Sequence, residues 1–197
     1  MKTENKILMQ QARASLAGKW KLAVGTAFLY MFIMILIGSP KNIGQIFSLI
    51  ATGPFSVGIA IFSLSISRNK EAKTKQIFEG FNKFTRALVA HLLVVLFTIL
   101  WSLLFIVPGI IAALAYSQTF FILADDPNIS ASDAIKKSKK MMNGYKWKYF
   151  CLGFRFIGWL ILSALTFGIG LLWLLPYIQI TYAKFFDDVN TQEQVVV

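Results

Sequence analysis

The sequence predicts an all-α, polytopic membrane protein with six membrane helices arranged as three hairpins, each preceded by an interfacial amphipathic helix. The first observation is composition, because the 197 residues are 56% hydrophobic but only 15% charged, whereas soluble domains are roughly a quarter charged. The second is that the apolar residues gather in long uncharged runs, as membrane helices require. The apolar content excludes disorder, and the single cysteine excludes a disulfide scaffold. Residues 1–197 are therefore expected to form a single membrane domain.

The candidate membrane helices follow from the apolar runs. These runs lie at 22–38, 43–67, 87–107, 109–124, 149–167 and 169–186. Residues 87–124 as one helix would be about 57 Å long, nearly twice the hydrocarbon core of roughly 30 Å. The chain must therefore turn, and Pro108-Gly109 is the expected place because proline removes a helix donor and glycine tolerates a turn. Further turns are expected at 167–170 and at 38–41, the latter with an extension to Gly53-Pro54 as an alternative.

The distribution of basic residues predicts the orientation. Five lie at 2–21, six at 68–86 and six at 136–148, so seventeen of the twenty mark one side of the membrane. The turns on the opposite side hold only Lys41. By the positive-inside rule the basic side is cytoplasmic, and both termini lie there. The same orientation holds if the shorter second arms, 109–124 and 169–186, are re-entrant and do not span the membrane. No small-residue cleavage site follows the first apolar run, which is therefore expected to be an uncleaved anchor.

An internal repeat is expected beneath the hydrophobicity. Gly18, Gly80 and Gly144 each end a candidate amphipathic helix just before an apolar run, and they are 62 and 64 residues apart. Counting from Gly109 and from Gly170, a Tyr-x-Gln motif follows at the same offset in both later hairpins. These coincidences favour descent from one unit. The expected copies span residues 5–70, 71–128 and 129–190.

The first two amphipathic helices are expected around 5–17 and before Gly80. In the second, Ile77, Phe78 and Phe81 share the apolar face of an α-helix with Phe84. Such helices fit the cytoplasmic interface of a membrane.

The third amphipathic helix begins with a capping-box pattern, Ser130 with Asp133. Its apolar face consists of Ala131, Ala134, Ile135, Ser138, Met142 and Tyr145. Its opposite face carries Lys136, Lys137, Lys139 and Lys140. With Lys146 and Lys148 these lysines are expected to contact anionic phospholipid headgroups, which attract basic segments by about 1 kcal/mol per residue. The alternative is that they only fix the topology, without any specific lipid.

Several classes of function find no support in the residues. All nine acidic residues lie outside the apolar runs or at their cytoplasmic ends, which disfavours an ion-coupled transporter. One histidine and one cysteine give no recognisable metal site, and no phosphate loop, nucleophile elbow or zinc-protease motif occurs. We therefore expect no catalytic residue and no cofactor. The net charge of +11 flanks the apolar runs without a nucleic-acid-binding motif, so the lipid bilayer and not nucleic acid is the expected partner.

Arg155 is the basic residue that anchoring explains least. It lies seven residues beyond Lys148, which is about 10 Å deeper along a helix. One interpretation is that its side chain extends back to the headgroups. The other is that it faces the bundle and pairs with Tyr182, Gln179 or Asp187, which a turn near residue 168 would bring to similar depth.

The other polar candidates are His91 and the two Tyr-x-Gln motifs. His91 occupies the position equivalent to Arg155, and a turn at Pro108-Gly109 would place it level with Asp125. A His–Asp pair there would hold the helix ends together, either as a structural hydrogen bond or as a group that responds to pH. The motif residues Tyr116, Gln118, Tyr177 and Gln179 either form hydrogen bonds between helices or line a polar groove.

The ordered motifs of the second half resemble a known family. They are Pro108-Gly-Ile-Ile111, Tyr116-Ser-Gln-Thr119, Leu123-Ala-Asp-Asp-Pro127, Ser130-Ala-Ser-Asp-Ala134, Ser138-Lys-Lys-Met-Met142 and Trp147. With them the chain resembles the small polytopic bacterial membrane proteins catalogued as domain of unknown function 975. Gly53-Pro54 with Gly58 and the segment Gly168–Trp173 also fit, so the resemblance covers nearly the whole chain. It implies a bacterial inner-membrane protein and supplies no activity.

Two functions from different classes are expected from these observations. The first is a non-catalytic membrane protein that handles lipid or an amphiphilic peptide at the cytoplasmic leaflet, or supports a membrane complex. Either a membrane protein partner or a homo-oligomer fits that function. The alternative is a small transporter or channel subunit whose polar path is lined by Arg155, Gln118 and Gln179.

Overall fold

The computed structural model describes residues 3–38 and 43–196 and confirms that the chain is helical. The α-helices are α1 (Asn5–Leu16), α2 (Trp20–Gly38), α3 (Ile43–Ser67), α4 (Phe84–Leu104), α5 (Ile106–Tyr116), α6 (Thr119–Asp125), α7 (Ala131–Met141), α8 (Lys146–Phe154), α9 (Ile157–Leu165) and α10 (Leu171–Val196). A 3₁₀ helix, Thr74–Lys83, lies between α3 and α4. No strand occurs in residues 3–38 or 43–196.

Five helical segments of the described chain are long and apolar enough to cross a membrane. They are Trp20–Gly38, Phe47–Ser67, Thr74–Leu103, Ile106–Asp125 and Lys146–Leu165. The sixth predicted run, 169–186, lies on α10, where Lys184, Asp187 and Asp188 interrupt the apolar sequence. The uncharged first part of α10, 171–183, is only about 20 Å long. The structure therefore supports a multi-pass membrane protein with five long apolar helical segments.

The break between α4 and α5 lies three residues before the predicted turn. Phe105 separates the two helices with an extended backbone. Pro108 and Gly109 instead belong to the first turns of α5, where the missing N–H of Pro108 costs nothing because the first amides of a helix have no acceptor within it. A Cβ on Gly109 would lie 2.1 Å from Ser102 Oγ, so the glycine is needed for close approach of α5 to α4.

The other predicted turns have different outcomes. The break between α9 and α10 lies where expected, with Phe167 and Gly168 in the left-handed region at φ 51° and 84°. No turn forms at Gly53-Pro54, because α3 continues through both residues. The predicted turn at 38–41 falls almost entirely outside the described residues.

Helix α3 is the centre of the bundle. It packs against α2, α4, α6, α10 and the 3₁₀ helix. In its most apolar stretch 56% of the residues are buried, compared with 11% in that of α2. The close approach of the 3₁₀ helix to α3 requires a glycine on each side of the contact. A Cβ on Gly58 would lie 2.0 Å from the Ile77 carbonyl oxygen, and one on Gly80 would lie 1.9 Å from the Pro54 carbonyl oxygen. These contacts lock the 3₁₀ helix against α3.

The predicted second amphipathic helix is therefore a 3₁₀ helix, and its faces differ from the expectation. In a 3₁₀ helix the side chains repeat every three residues, so Phe78 and Phe81 form one row and Ile77 lies on another. Phe84, the first residue of α4, continues the row. Ile77 is fully buried, whereas the three phenylalanines are 36–42% exposed. Phe55 of α3 contacts this row, with its ring centroid 4.9 Å from that of Phe81.

The predicted third amphipathic helix is confirmed as α7. Ala134, Ser138 and Met142 are completely buried, while most of the lysine face is exposed. The Asp133 amide donates to Ser130 Oγ at 3.1 Å, which confirms the expected N-cap. Because α7 packs against α4, α5 and α6, it is an integral part of the bundle.

Candidate functional site

The charged residues meet at one end of the helices, where Arg68 joins two helix ends. Its Nε and Nη2 donate to Asp187 Oδ1 of α10 at 3.0 and 2.8 Å, and its Nη1 pairs with Asp125 at the end of α6. Ser67 Oγ donates to the other Asp187 oxygen at 2.9 Å. Burial lowers the pKa of Arg68, but the hydrogen bonds to Asp125 and Asp187 outweigh it and raise the pKa overall. Arg68 thus holds α3, α6 and α10 together.

A second ion pair at this end is more deeply buried. Lys148 Nζ donates to Asp188 Oδ2 at 2.8 Å, and both side chains are only 13% exposed. Lys148 also lies 5.4 Å from the Phe185 ring centroid, and the Thr3 hydroxyl donates to Asp188. The pair therefore ties the start of α8 and the residues before α1 to α10. Lys148 is thus engaged within the protein, which leaves its side chain less available for the predicted contact with lipid headgroups.

Arg86 of α4 lies at the same end of the bundle and binds backbone carbonyl groups at and after the end of α6. Its guanidinium donates to the carbonyl oxygens of Leu123 at 2.9 Å, Asp126 at 3.0 Å and Ile129 at 3.2 Å. The last carbonyls of a helix have no partner within it, and a cation there also suits the helix dipole. We name Arg68, Arg86, Asp125, Asp187 and the Lys148–Asp188 pair the polar layer.

The predicted pair between His91 and Asp125 does not form. Asp125 is bound by Arg68, and the His91 ring instead lies beside Phe120, with ring centroids 6.1 Å apart. The prediction failed because the turn lies at Phe105 and not at Pro108, which shifts the register between the two helices. Gly53 accommodates His91, since a Cβ there would lie 3.0 Å from the His91 Cβ.

The first Tyr-x-Gln motif lies at the break between α5 and α6. Gln118 is completely buried, and its backbone N–H donates to Ser138 Oγ of α7 at 3.2 Å, while its side-chain amide donates to the neighbouring Ser117 hydroxyl at 3.1 Å. Ser138 Oγ in turn donates to the Ala115 carbonyl at 2.8 Å. Tyr116 is buried beside Phe97, with ring centroids 6.1 Å apart. Both side chains are therefore buried among helices, and the bond to α7 comes from the backbone of Gln118.

The second Tyr-x-Gln motif lies in a different environment, in the middle of α10. Tyr177 donates from its hydroxyl to the Met9 carbonyl at 3.2 Å and so contacts α1. Gln179 is half-buried and lines a small, mostly apolar cavity of about 70 Å³ between α2, α3 and α10. The sequence match between the two motifs does not correspond to a match in their surroundings.

Arg155 lies at the break between α8 and α9 with an exposed side chain. It faces an open cavity of about 420 Å³ together with Glu4, Asn5 and Trp147. Within the described chain it forms no ion pair, because Asp187 binds Arg68 and the Tyr182 ring stacks on another tyrosine. Of the two interpretations of Arg155, the exposed side chain favours the one in which it does not pair inside the bundle. Arg155, Gln118 and Gln179 do not share a cavity.

The lysine face of α7 is placed as predicted. Lys136 and Lys139 are exposed and Lys137 is half-exposed, as is Lys146 at the start of α8; Lys140 also has an exposed side chain. Lys136 lies 3.4 Å from Asp133. Hydrogen bonds from Ser130 and Lys136 hold the pKa of Asp133 below its usual range. The face remains strongly basic in spite of this one carboxylate.

A groove that the sequence did not predict opens on the side of the bundle between α1, α9 and α10. Its volume is about 500 Å³, and its walls include Arg13, Trp20, Trp159, Trp173, Leu174 and Tyr177. We name it the tryptophan groove. Three of the five tryptophans line this groove. They are far apart in the sequence, and no motif there indicates that they meet. In the described residues, no three histidine, cysteine, aspartate or glutamate side chains lie close enough to hold a metal ion.

Comparison with known proteins identifies the second half of the chain. Residues 104–193 match the family described as "Protein of unknown function (DUF975)". No curated protein and no solved structure matches the chain. The match contains the Pro108-Gly109 start of α5, the capped helix α7 and both aspartates that bind Arg68. This match over residues 104–193 supports the assignment to the DUF975 family that the motifs predicted.

Proposed function

We propose that this protein is a non-catalytic integral membrane protein of the bacterial inner membrane that handles lipid at the cytoplasmic leaflet. The observation that carries the proposal is the separation of charge. Arg68, Arg86 and Lys148 bring the basic segments together at the polar layer, while the side of the bundle is apolar and opens into the tryptophan groove. By the positive-inside rule the polar layer is cytoplasmic, and both termini lie there.

The proposed topology has six membrane helices in three hairpins. The five long apolar segments supply most of it, and α10 would be the return arm of the last hairpin. Although α10 is charged from Lys184 onward, its uncharged part begins at the turn opposite the polar layer. A short arm is tolerated because mismatch costs only fractions of a kcal/mol per Å.

We also propose that the three hairpins descend from one repeated unit. Gly18 and Gly144 end their amphipathic helices with the same left-handed backbone, φ 77° in both. The two later hairpins share a further close contact, because Cβ atoms on Gly109 and Gly170 would lie 2.1 and 2.8 Å from serine Oγ atoms seven residues earlier. The second unit departs at Gly80, which is inside the 3₁₀ helix and packs against α3.

Lipid handling is favoured over transport by where the polar side chains lie. The alternative of a transporter requires a polar path lined by Arg155, Gln118 and Gln179, but these residues lie at three separate places. Gln118 is engaged with α7, and Gln179 faces an apolar cavity. Lys136 and Lys139 of α7, by contrast, have exposed side chains, and a basic exposed face suits anionic headgroups.

The test is retention of anionic lipid by purified protein. Protein in detergent is equilibrated with equal amounts of phosphatidylglycerol and phosphatidylcholine, and the bound lipids are counted by native mass spectrometry. Replacing Lys136, Lys137, Lys139 and Lys140 together by glutamine should reduce retained phosphatidylglycerol by about tenfold or more. The matched variant with four arginines should retain it.

Two results would contradict the proposal. Equal lipid retention by the glutamine and arginine variants would show that the α7 charges do not recruit lipid. Solute flux through reconstituted vesicles that Arg155→Leu abolishes would favour the transporter instead.

A further inference from the structure

The tryptophan groove has the shape and chemistry of a site for one amphiphile. Gly170 and Tyr177 both line it, so it extends about 10 Å along α10 at 1.5 Å per residue. Its volume of about 500 Å³ lies within the range of roughly 300–1,000 Å³ that is typical of small-molecule sites. Its walls are mainly apolar, and indole rings at the membrane interface present an apolar body with one polar N–H.

The polar end of the groove is formed by α1. Arg13 lies in the last turn of α1 and is exposed, and among the described residues its side chain has no ion-pair or hydrogen-bond partner. The neighbouring Tyr177 hydroxyl is already used, because it donates to the Met9 carbonyl at 3.2 Å. Arg13 is therefore a cation, available for binding, directly beside an apolar groove.

The groove is also open to the bilayer. Trp159 and Trp173 are 57% and 51% exposed, and Leu162 of the same wall is 54% exposed. An acyl chain can thus enter sideways without leaving the hydrocarbon. We propose that the tryptophan groove binds one anionic phospholipid, with its phosphate on Arg13 and an acyl chain between Trp159 and Trp173.

The proposal rests on the proposed lipid-handling function and makes it specific. Charge complementarity selects the occupant, because a guanidinium binds phosphate through two parallel hydrogen bonds. The apolar walls beside Arg13 suit an acyl chain and do not suit a charged group. A phospholipid headgroup and free inorganic phosphate both carry the phosphate group that Arg13 would bind, so free phosphate is the competing ligand. Free phosphate cannot use the apolar walls, so it should bind far more weakly.

The experiment uses bromine on the lipid chain to quench tryptophan fluorescence. Delipidated full-length protein in detergent is titrated with dibrominated phosphatidylglycerol. We expect saturable quenching at one lipid per chain, and Arg13→Leu should weaken the affinity about tenfold or more. Lys6→Leu is the matched control, since it removes a cation from the same helix outside the groove and should leave the affinity unchanged.

Further arms identify the occupant and guard against misfolding. Arg13→Lys keeps the charge but loses the paired hydrogen bonds, and it should bind with intermediate affinity. Trp159→Phe should reduce the quenching amplitude, because it removes one of the indoles that line the groove. An excess of inorganic phosphate should not displace the lipid.

The outcomes separate this proposal from the function on which it rests. Quenching that is unsaturable or insensitive to Arg13 overturns the groove site even if the α7 lysines still retain lipid. Displacement by free phosphate would assign the site to a soluble anion, and displacement by an acidic amphipathic peptide at the same concentration would assign it to peptide. Loss of both the α7 effect and the quenching would overturn lipid handling itself.

Discussion

Arg68 shows how single residues fix the arrangement of helices in this chain. It binds one aspartate at the end of α6 and another on α10, and each aspartate closes an apolar run. In the sequence, a pair of aspartates, 125–126 and 187–188, directly follows each of two apolar runs. Their partner is not indicated there, because Arg68 belongs to a basic segment that topology alone explains.

Replacing Arg68 by leucine should lower the free energy of unfolding by about 2 kcal/mol. The substitution removes charge-assisted hydrogen bonds and leaves two carboxylates facing each other. The change is measured by chemical denaturation of purified protein in micelles. Lys70→Leu, which removes an exposed cation two residues away, is the control and should change the free energy by less than about 0.5 kcal/mol. Equal effects of both substitutions would contradict the role of Arg68.

Ser138 provides a second test at this scale. Its hydroxyl bridges the α5–α6 break by accepting from the Gln118 amide and donating to the Ala115 carbonyl. Ser138→Ala should destabilise the protein by about 1–3 kcal/mol because two buried backbone groups lose their partner. Ser132→Ala on the exposed face of α7 should be neutral or slightly stabilising, since alanine favours helix. A neutral Ser138→Ala would mean that the break is held by other contacts.

At the scale of elements, the apolar runs predicted the membrane-length helices well because hydrophobicity alone decides their existence. The breaks within them were harder to predict. Pro108 is compatible both with a turn and with the first turn of a helix, and the choice depends on the contact of Gly109 with Ser102. The 3₁₀ helix was missed because its residues fit an α-helical face equally well, and only packing of Gly80 against α3 distinguishes the two.

The glycines between α3 and the 3₁₀ helix should tolerate no side chain. Gly58→Ala and Gly80→Ala each place a Cβ about 2 Å from a backbone carbonyl oxygen, so we expect a loss of about 3 kcal/mol or more for each. Gly25→Ala on α2 meets no atom within 4 Å and should stabilise by up to about 1 kcal/mol through helix propensity. Thermal unfolding monitored by tryptophan fluorescence checks all three. Wild-type stability of Gly80→Ala would show that the 3₁₀ helix can move away from α3.

At the scale of the whole molecule, the distribution of basic residues predicts the orientation of the chain. It does not predict how the side chains of the polar layer pair with one another. Positive charge marks a side of the membrane but does not say which cations pair with carboxylates. Lys148 and Arg155 illustrate this. Lys148, expected at the headgroups, is paired with Asp188, whereas Arg155, for which both a headgroup contact and an internal pair were open, has an exposed side chain.

Accessibility labelling tests the orientation. The only cysteine, Cys151, is replaced by serine, and single cysteines are introduced by Lys75→Cys, Lys137→Cys and Ile169→Cys. In intact cells a membrane-impermeant maleimide should label only the Ile169→Cys variant, which lies at the turn opposite the polar layer. Labelling of Lys75→Cys or Lys137→Cys without permeabilisation would reverse the topology.

In the proposed topology, with α10 as the return arm of the last hairpin, its short uncharged part changes the lipid around it. A helix with about 20 Å of apolar length cannot match a hydrocarbon core of roughly 30 Å, so the bilayer beside it must become thinner or admit water near Lys184. α10 is also one wall of the tryptophan groove. A phospholipid entering from that side would already have its headgroup drawn inward, and the distance between bulk leaflet and binding site would be correspondingly shorter.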